Sequence, residues 1–192
     1  MTRRFAWLHI EADLPVDWEM HTYSLDPEFG ELEFATRPAI QARFRWAKAR
    51  IPRGSRGGNA PDWEWEETEE GVRSCSRLDP DSRARFTWDF PGCDEETAEA
   101  VVERCRNQTG DTRRMTLFGI RAVFPSAFTP ETVQVHPANH MLALAAKDHR
   151  RMVYRRWGLP DVVLRGESHA TFFRALMKAE GLTVASEDPA RL

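Results

Sequence analysis

The sequence predicts an α+β protein built from internally duplicated antiparallel β units. Each unit reads as a four-stranded meander plus one helix, and the first half carries a β-hairpin and loop insertion. Three observations carry this expectation: residues 8–35 recur 110 positions later, apolar and polar residues alternate through short runs, and two stretches place apolar residues on a single helical stripe. In the recurrence Ile10, Ala12, Pro15, Thr22, Pro27, Leu32 and Ala35 fall on Ile120, Ala122, Pro125, Thr132, Pro137, Leu142 and Ala145. Elsewhere apolar character is kept: Leu14 falls on Phe124, Trp18 on Phe128, Tyr23 on Val133, Leu25 on Val135 and Phe34 on Leu144. After one inserted residue Trp46 falls on Trp157. The expected organisation is therefore residues 1–110 as the first meander with insertion and helix, and 111–192 as the second, fused into one pseudo-twofold body.

Taken in order, residues 5–14 alternate, with Ala6, Leu8, Ile10, Ala12 and Leu14 on one face of a strand and His9, Glu11 and Asp13 on the other. Residues 115–124 repeat the pattern through Phe118, Ile120, Ala122 and Phe124. Pro15 and Pro125 stop both runs, because proline cannot donate to a ladder. Further strands are expected over 19–25, 31–36 and 40–47, with counterparts over 132–135, 141–146 and 151–157. The expected core follows the pairs: Leu8, Ile10, Leu32 and Phe34 with Phe118, Ile120, Leu142 and Leu144.

Residues 51–71 read as a loop, punctuated by Pro52, Gly54, Gly57, Gly58 and Pro61, and a hairpin is expected over 71–90. The loop changes sign along its length, from Arg50, Arg53 and Arg56 to Asp62, Glu64, Glu66, Glu67, Glu69 and Glu70. Asp94 is placed to cap a helix running to Asn107, with Ala98, Val101, Val102 and Cys105 on its stripe. Ser168 is placed to cap a second, with the stripe Phe172, Phe173, Leu176 and Met177 and a stop at Gly181. Both helices are expected to lie on a sheet, and the tail over 185–192 to fray.

A disordered chain is excluded by the 41% apolar content, seven Trp and eleven Phe. Of the 27 basic residues only Lys48, Lys147 and Lys178 are lysine, a bias that a GC-rich coding sequence produces without any demand for guanidinium chemistry. A net charge of −3 supplies no global attraction to nucleic acid or anionic membrane. No apolar run reaches membrane-spanning length, and residues 1–5 lack a signal-peptide core, so a cytoplasmic protein is expected. Cys75, Cys93 and Cys105 are odd in number and widely spaced, as expected of reduced thiols.

No nucleophile elbow, phosphate-binding loop or dinucleotide fingerprint is present, so no catalytic residue and no cofactor is assigned. His136 and His140 flank a Pro-Ala-Asn turn with His149 nearby, but they share no helix face and no CxxC accompanies them, so no metal is expected. Cys93 precedes a helix, where a dipole lowers a thiol pKa, but a buried or incidental cysteine is the preferred reading. Glu11 and Asp13 read as a solvated strand face. The order of elements resembles PsbP-like and DcrB-like domains in outline, with no shared motif through which a residue's role carries over.

The leading expectation is a non-enzymatic binding protein, a small adaptor or assembly component that contacts another protein through Arg53, Arg56, Trp63, Trp65 and Glu66. The alternative is a nucleic-acid binder whose cations and aromatics interleave, through Arg43, Arg45, Arg150, Arg151, Arg155 and Arg156. In a half-buried strand the same alternation arises with Ala42, Phe44 and Trp46 inward and Gln41, Arg43 and Arg45 outward. An enzyme with an unrecognised site is the third reading.

Overall fold

The computed structural model describes residues 1–26, 28–50, 63–80, 82–117, 119–136, 139–158, 164–179 and 181. The first half begins with β1 (Thr2–Trp7), β2 (Ile10–Pro15), β3 (Glu19–Leu25), β4 (Phe29–Ala35) and β5 (Ile40–Lys48). It continues through β6 (Glu64–Glu67), β7 (Arg73–Asp79), β8 (Ala84–Phe90) and helix α1 (Glu95–Glu103). After the short β9 (Arg106–Asn107) come β10 (Thr112–Leu117), β11 (Ile120–Pro125), β12 (Phe128–His136), β13 (Asn139–Ala146), β14 (Arg151–Trp157) and helix α2 (His169–Ala179). These strands form a five-stranded sheet in the order β11-β10-β1-β2-β9, a six-stranded sheet in the order β3-β4-β5-β8-β7-β6, and a three-stranded sheet in the order β12-β13-β14. Each strand pairing is antiparallel. The architecture is thus mostly antiparallel sheet with two helices among the described residues, an α+β composition.

The runs expected as single strands over 5–14 and 115–124 are hairpins instead. Trp7 pairs with Ile10 across Leu8 and His9, and Leu117 pairs with Ile120 across a two-residue turn that contains Gly119. Such a turn needs positive φ, which Leu8 (53°) and Gly119 (71°) supply. The turn shifts the phase of alternation, so Phe5 and Trp7 face the core with Ile10, Ala12 and Leu14, and Leu8 moves to the half-buried turn. Each expected four-stranded meander is therefore a hairpin in one sheet followed by a three-stranded meander in another.

Several registers match at a separation of 110. The β1–β2 pairs from Thr2↔Pro15 to Trp7↔Ile10 correspond to the β10–β11 pairs from Thr112↔Pro125 to Leu117↔Ile120. The β3–β4 ladder shifts register between Met20 and Thr22, and the β12–β13 ladder between Pro130 and Thr132. Where β1 meets β10, Ala6 lies opposite Thr116. Trp46 and Trp157 do not keep their match, since Trp46 pairs with Gly30 while Trp157 pairs with Asn139, the position that corresponds to Phe29. Gly30 has a reason to be glycine: a Cβ there would lie 2.3 Å from both the Ser24 carbonyl oxygen and the Trp46 ring.

One continuous core joins the sheets. Phe5 meets Phe34, Phe44 and Trp88 edge-on at ring separations of 5.4, 5.5 and 6.2 Å, and Trp7 lies 5.7 Å from Trp46. Ile10, Leu32, Phe34, Ile120, Leu142 and Leu144 are buried as expected; Phe118 falls outside the described residues. Ala42, Phe44 and Trp46 point inward from β5 while Arg43 and Arg45 form ion pairs on its outer side.

The hairpin expected over 71–90 is β7–β8, and the acidic end of the expected loop is strand β6. Asp94 caps α1 by accepting from the Thr97 backbone N–H at 2.8 Å, which with the Thr97 hydroxyl holds the carboxyl below its ordinary range. That helix ends at Glu103 rather than Asn107, because Arg106 and Asn107 pair with Glu11 and Ile10 as β9. Ser168 caps α2 through Thr171 N at 3.2 Å. Helix α2 meets β14 only shallowly: Phe172 touches Trp157 edge-on at 5.4 Å, Phe172, Leu176 and Met177 of its stripe are half-buried, and Phe173 is exposed. Among the described residues no helix is long and apolar enough to cross a membrane.

Candidate functional site

Strand β6 is the outer strand of the six-stranded sheet, paired to β7 on one side, and Glu64, Trp65, Glu66 and Glu67 are all exposed. The Trp65 ring lies under the Arg73 guanidinium at 4.3 Å and 6.0 Å from Phe90. Arg73 is in turn held by Glu95 and Glu99 of α1 at 2.6 and 3.0 Å, so the helix fixes the arginine that fixes the tryptophan. Trp63 takes the matching place over Arg77 at 4.6 Å and packs against the core. Trp65 nonetheless leaves 37% of its surface in water. Residues Trp65, Glu66, Glu67, Arg73, Phe90, Cys93, Asp94, Glu95 and Ala98 enclose an open groove of about 400 Å³ beside this strand. Arg53 and Arg56 fall outside the described residues.

Of the arginines considered for nucleic acid, Arg43 and Arg45 lie on β5, Arg151, Arg155 and Arg156 on β14, and Arg150 just before β14. Arg43 pairs with Glu33 at 2.7 Å, Arg45 with Asp89 at 2.6 Å, Arg150 with Asp148 at 2.8 Å and Arg151 with Glu131 at 2.5 Å. The Glu33 carboxyl is pulled below its usual range first by the Thr22 hydroxyl and then by Arg43. Arg155 and Arg156 share β14 with Arg151, and Arg156 approaches Gly119. Arg43, Arg45, Arg150 and Arg151 thus stand against carboxylates, an arrangement that competes with phosphate.

His136 ends β12 and His140 lies near the start of β13, with His149 in the turn after β13. Among the described residues no group of three or more His, Cys, Asp or Glu is placed to hold a metal ion. Burial, with Asp94 beside it, pushes the Cys93 thiol up to about 11, so the helix start does not activate it. Glu11 and Asp13 pair with Arg106 and Arg4 at 2.8 and 3.4 Å.

A second concave site forms where the β1–β2 turn meets the ends of β5, β8, β11 and β12. It is a pocket of about 210 Å³ lined by Leu8, His9, Glu28, Lys48, Ser82, Arg83, Ala84, Phe86, Arg113, Phe124, Phe128, Thr129 and Pro130. Gln108 holds the turn in place: its side-chain N–H donates to the carbonyls of Leu8, Ile10 and Arg114 at 3.3, 3.2 and 2.9 Å. Its backbone N–H donates to His9 O at 2.6 Å. The clamp stabilises a positive φ at Leu8 that a leucine adopts at a cost, and Arg83 across the pocket is held at 54° in the same region.

Behind the pocket lies a buried carboxylate. Asp79, 1% exposed, accepts from Asn107 Nδ2 at 3.0 Å and from the backbone N–H and hydroxyl of Ser82. Arg113 donates to His9 Nδ1. Guanidinium has no acceptor lone pair, so His9 is the acceptor and is the neutral tautomer with its proton on Nε2. Burial first, and then the charge of Arg113, lowers the His9 pKa from 6.5 to about 4, partly opposed by Asp79. Burial likewise lowers the Arg113 pKa, and its Nε is buried with no acceptor. The sequence reading missed this constellation because His9, Arg113, Asp79 and Arg83 show no common spacing. The only local signal is Arg3, which stands 110 residues before Arg113 and donates instead to the Trp18 carbonyl.

No family model, curated protein or solved structure matches the chain. The residues alone therefore carry any functional reading.

Proposed function

We propose that the protein is a non-enzymatic binding protein, an adaptor or assembly component that takes an extended basic segment of another protein along β6. The observation that carries this reading is the exposed outer edge of the six-stranded sheet, where acidic residues flank a braced tryptophan. An edge strand presents unpaired N–H and C=O groups that a partner strand satisfies by β-augmentation. Glu64, Glu66 and Glu67, with Glu69 and Glu70 in the following turn, favour a basic partner, and Trp65 supplies apolar area at small cost in side-chain entropy. The three cysteines are free thiols, which fits the reducing interior of a cell. Nothing comparable favours the nucleic-acid reading, since Arg43, Arg45, Arg150 and Arg151 are matched by carboxylates.

The test is a charge reversal, Glu64→Lys with Glu66→Lys, at exposed positions where surface substitutions change stability by roughly 0.5 kcal/mol or less. Binding of an alternating lysine-valine peptide, followed by fluorescence anisotropy, is expected to weaken about tenfold or more. Amide exchange along β6 is expected to slow when the peptide binds. Equal binding by the variant, or protection that appears elsewhere, removes β6 as the binding edge.

We also infer that the two halves are one β unit used twice, residues 1–110 and 111–192. The matched hairpin registers, the matched register shifts and the facing of Ala6 with Thr116 support this, because antiparallel pairing of corresponding residues is what a local twofold axis produces. Replacing residues 112–125 with a copy of 2–15 is expected to leave a chain that unfolds cooperatively. A chimera without cooperative unfolding argues against equivalence.

A further inference from the structure

Arg113 stands out among the arginines of the two hairpins. Arg3, Arg4, Arg114 and Arg121 are exposed, with Arg4 paired to Asp13 and Arg3 donating to a backbone carbonyl, but Arg113 is half-buried with a neutral imidazole as its bonded neighbour. Among the described residues no carboxylate lies within ion-pair distance of Arg113 or of Arg83. A guanidinium that lines a pocket without a paired carboxylate is open to an anionic acceptor from outside.

The rest of the pocket says what that acceptor is attached to. Lys48 is neutralised by Glu28 on the rim, and the charge of Asp79 lies behind Arg113. Among the described residues, counting Lys48, Arg83 and Arg113 against Glu28 and Asp79 leaves one positive charge, which suits a monoanion better than a phosphate dianion. Phe86, Phe124 and Phe128 with Leu8 and Pro130 give the remaining wall an apolar character. At about 210 Å³ the space is below the ~300–1,000 Å³ usual for drug-sized ligands, so the occupant is small.

We propose that this pocket binds a small carboxylate with an apolar body, its head held by the guanidinium groups of Arg113 and Arg83 and its body against Phe86, Phe124 and Phe128. A guanidinium offers paired N–H donors in a plane that matches the two oxygens of a carboxylate. His9, held neutral, adds no second charge and keeps Arg113 oriented through Nδ1. The backbone strain at Leu8 and Arg83 falls on two residues that line this pocket, where strain held by surrounding structure commonly marks a site of use.

The experiment titrates the full chain with benzoate and with hexanoate, against benzyl alcohol and inorganic phosphate as comparators, by calorimetry and by NMR of the aromatic side chains. Saturable binding of at least one carboxylate, with shifts at Phe86, Phe124 or Phe128, is expected, with benzyl alcohol and phosphate weaker. Arg113→Met and Arg83→Met are each expected to weaken binding about tenfold or more. Arg83 is exposed, so its variant decides the matter should Arg113→Met fail to fold. The proposal is overturned if neither carboxylate saturates, if benzyl alcohol binds as tightly, if phosphate binds more tightly, or if the folded variants bind as the unmodified chain does.

Discussion

Truncating Trp88 to alanine is expected to lower the free energy of unfolding by about 3–5 kcal/mol, the range for removing a large aromatic from a packed interior. Trp88 has no exposed surface and sits at the centre of the ring cluster, 4.7 Å from Phe44 and 6.0 Å from both Phe34 and Phe90. It also lies against Phe5 of the opposing sheet, so its loss opens a cavity between two layers that cannot collapse without moving β1. Total stabilities of about 5–15 kcal/mol leave such a variant marginal. Urea unfolding followed by far-UV circular dichroism measures it, with Trp65→Ala on β6 as the reference for an aromatic that is partly in water. A Trp88 variant that costs no more than the Trp65 variant would contradict the placement of the core.

The second large effect is expected in acid. The folded chain holds His9 at a pKa of about 4 against 6.5 for an unburied imidazole, so between those values the unfolded state binds more protons than the folded one. Stability from this group is therefore complete above pH 6.5 and is lost as pH falls toward 4, by about 3 kcal/mol in total. Glu33, Asp94 and Asp148 are shifted downward from 4.5, 3.8 and 3.8, so their contribution disappears lower, as their carboxyls protonate. The interval from pH 5 to 6.5 thus isolates His9 from these carboxyls. His9→Gln keeps an acceptor for Arg113 and is expected to flatten the stability profile across that interval, while NMR titration of the unmodified chain should place the His9 midpoint near 4. A midpoint close to 6.5, or an unchanged slope in the glutamine variant, would show that the imidazole is not held neutral by its surroundings.

The sequence was most readable where one strand decided the outcome. On β5 the alternation alone placed Ala42, Phe44 and Trp46 inward and Arg43 and Arg45 outward, because a strand in a sheet has only two faces. The β1–β2 turn escaped notice for a local reason: Leu8 and His9 are not turn residues, and a positive φ at leucine is affordable only because Gln108 clamps the loop from a hundred residues away. The stripe of α2 was legible as amphipathic, but a stripe does not say what lies opposite it, and its residues are covered no more than partly. The pocket beside the β1–β2 turn was invisible for a different reason. Its lining comes from segments around residues 8, 28, 48, 83, 113 and 124–130, brought together by the packing of whole sheets rather than by spacing along the chain.

The facing of Ala6 with Thr116 has a consequence for how the chain reaches its final form. β1 is synthesised well before its neighbour β10, which lies more than a hundred residues downstream; Thr116 reaches the Arg4 carbonyl across a separation of 112. Until β10 arrives, β1 has only β2 beside it, and the edge that carries the buried Phe5 and Trp7 stays open. Closing so long a loop must be accomplished before the contact repays it, which makes the β1–β10 seam a slow, late event and gives the growing chain a prolonged period of vulnerability to edge-to-edge association.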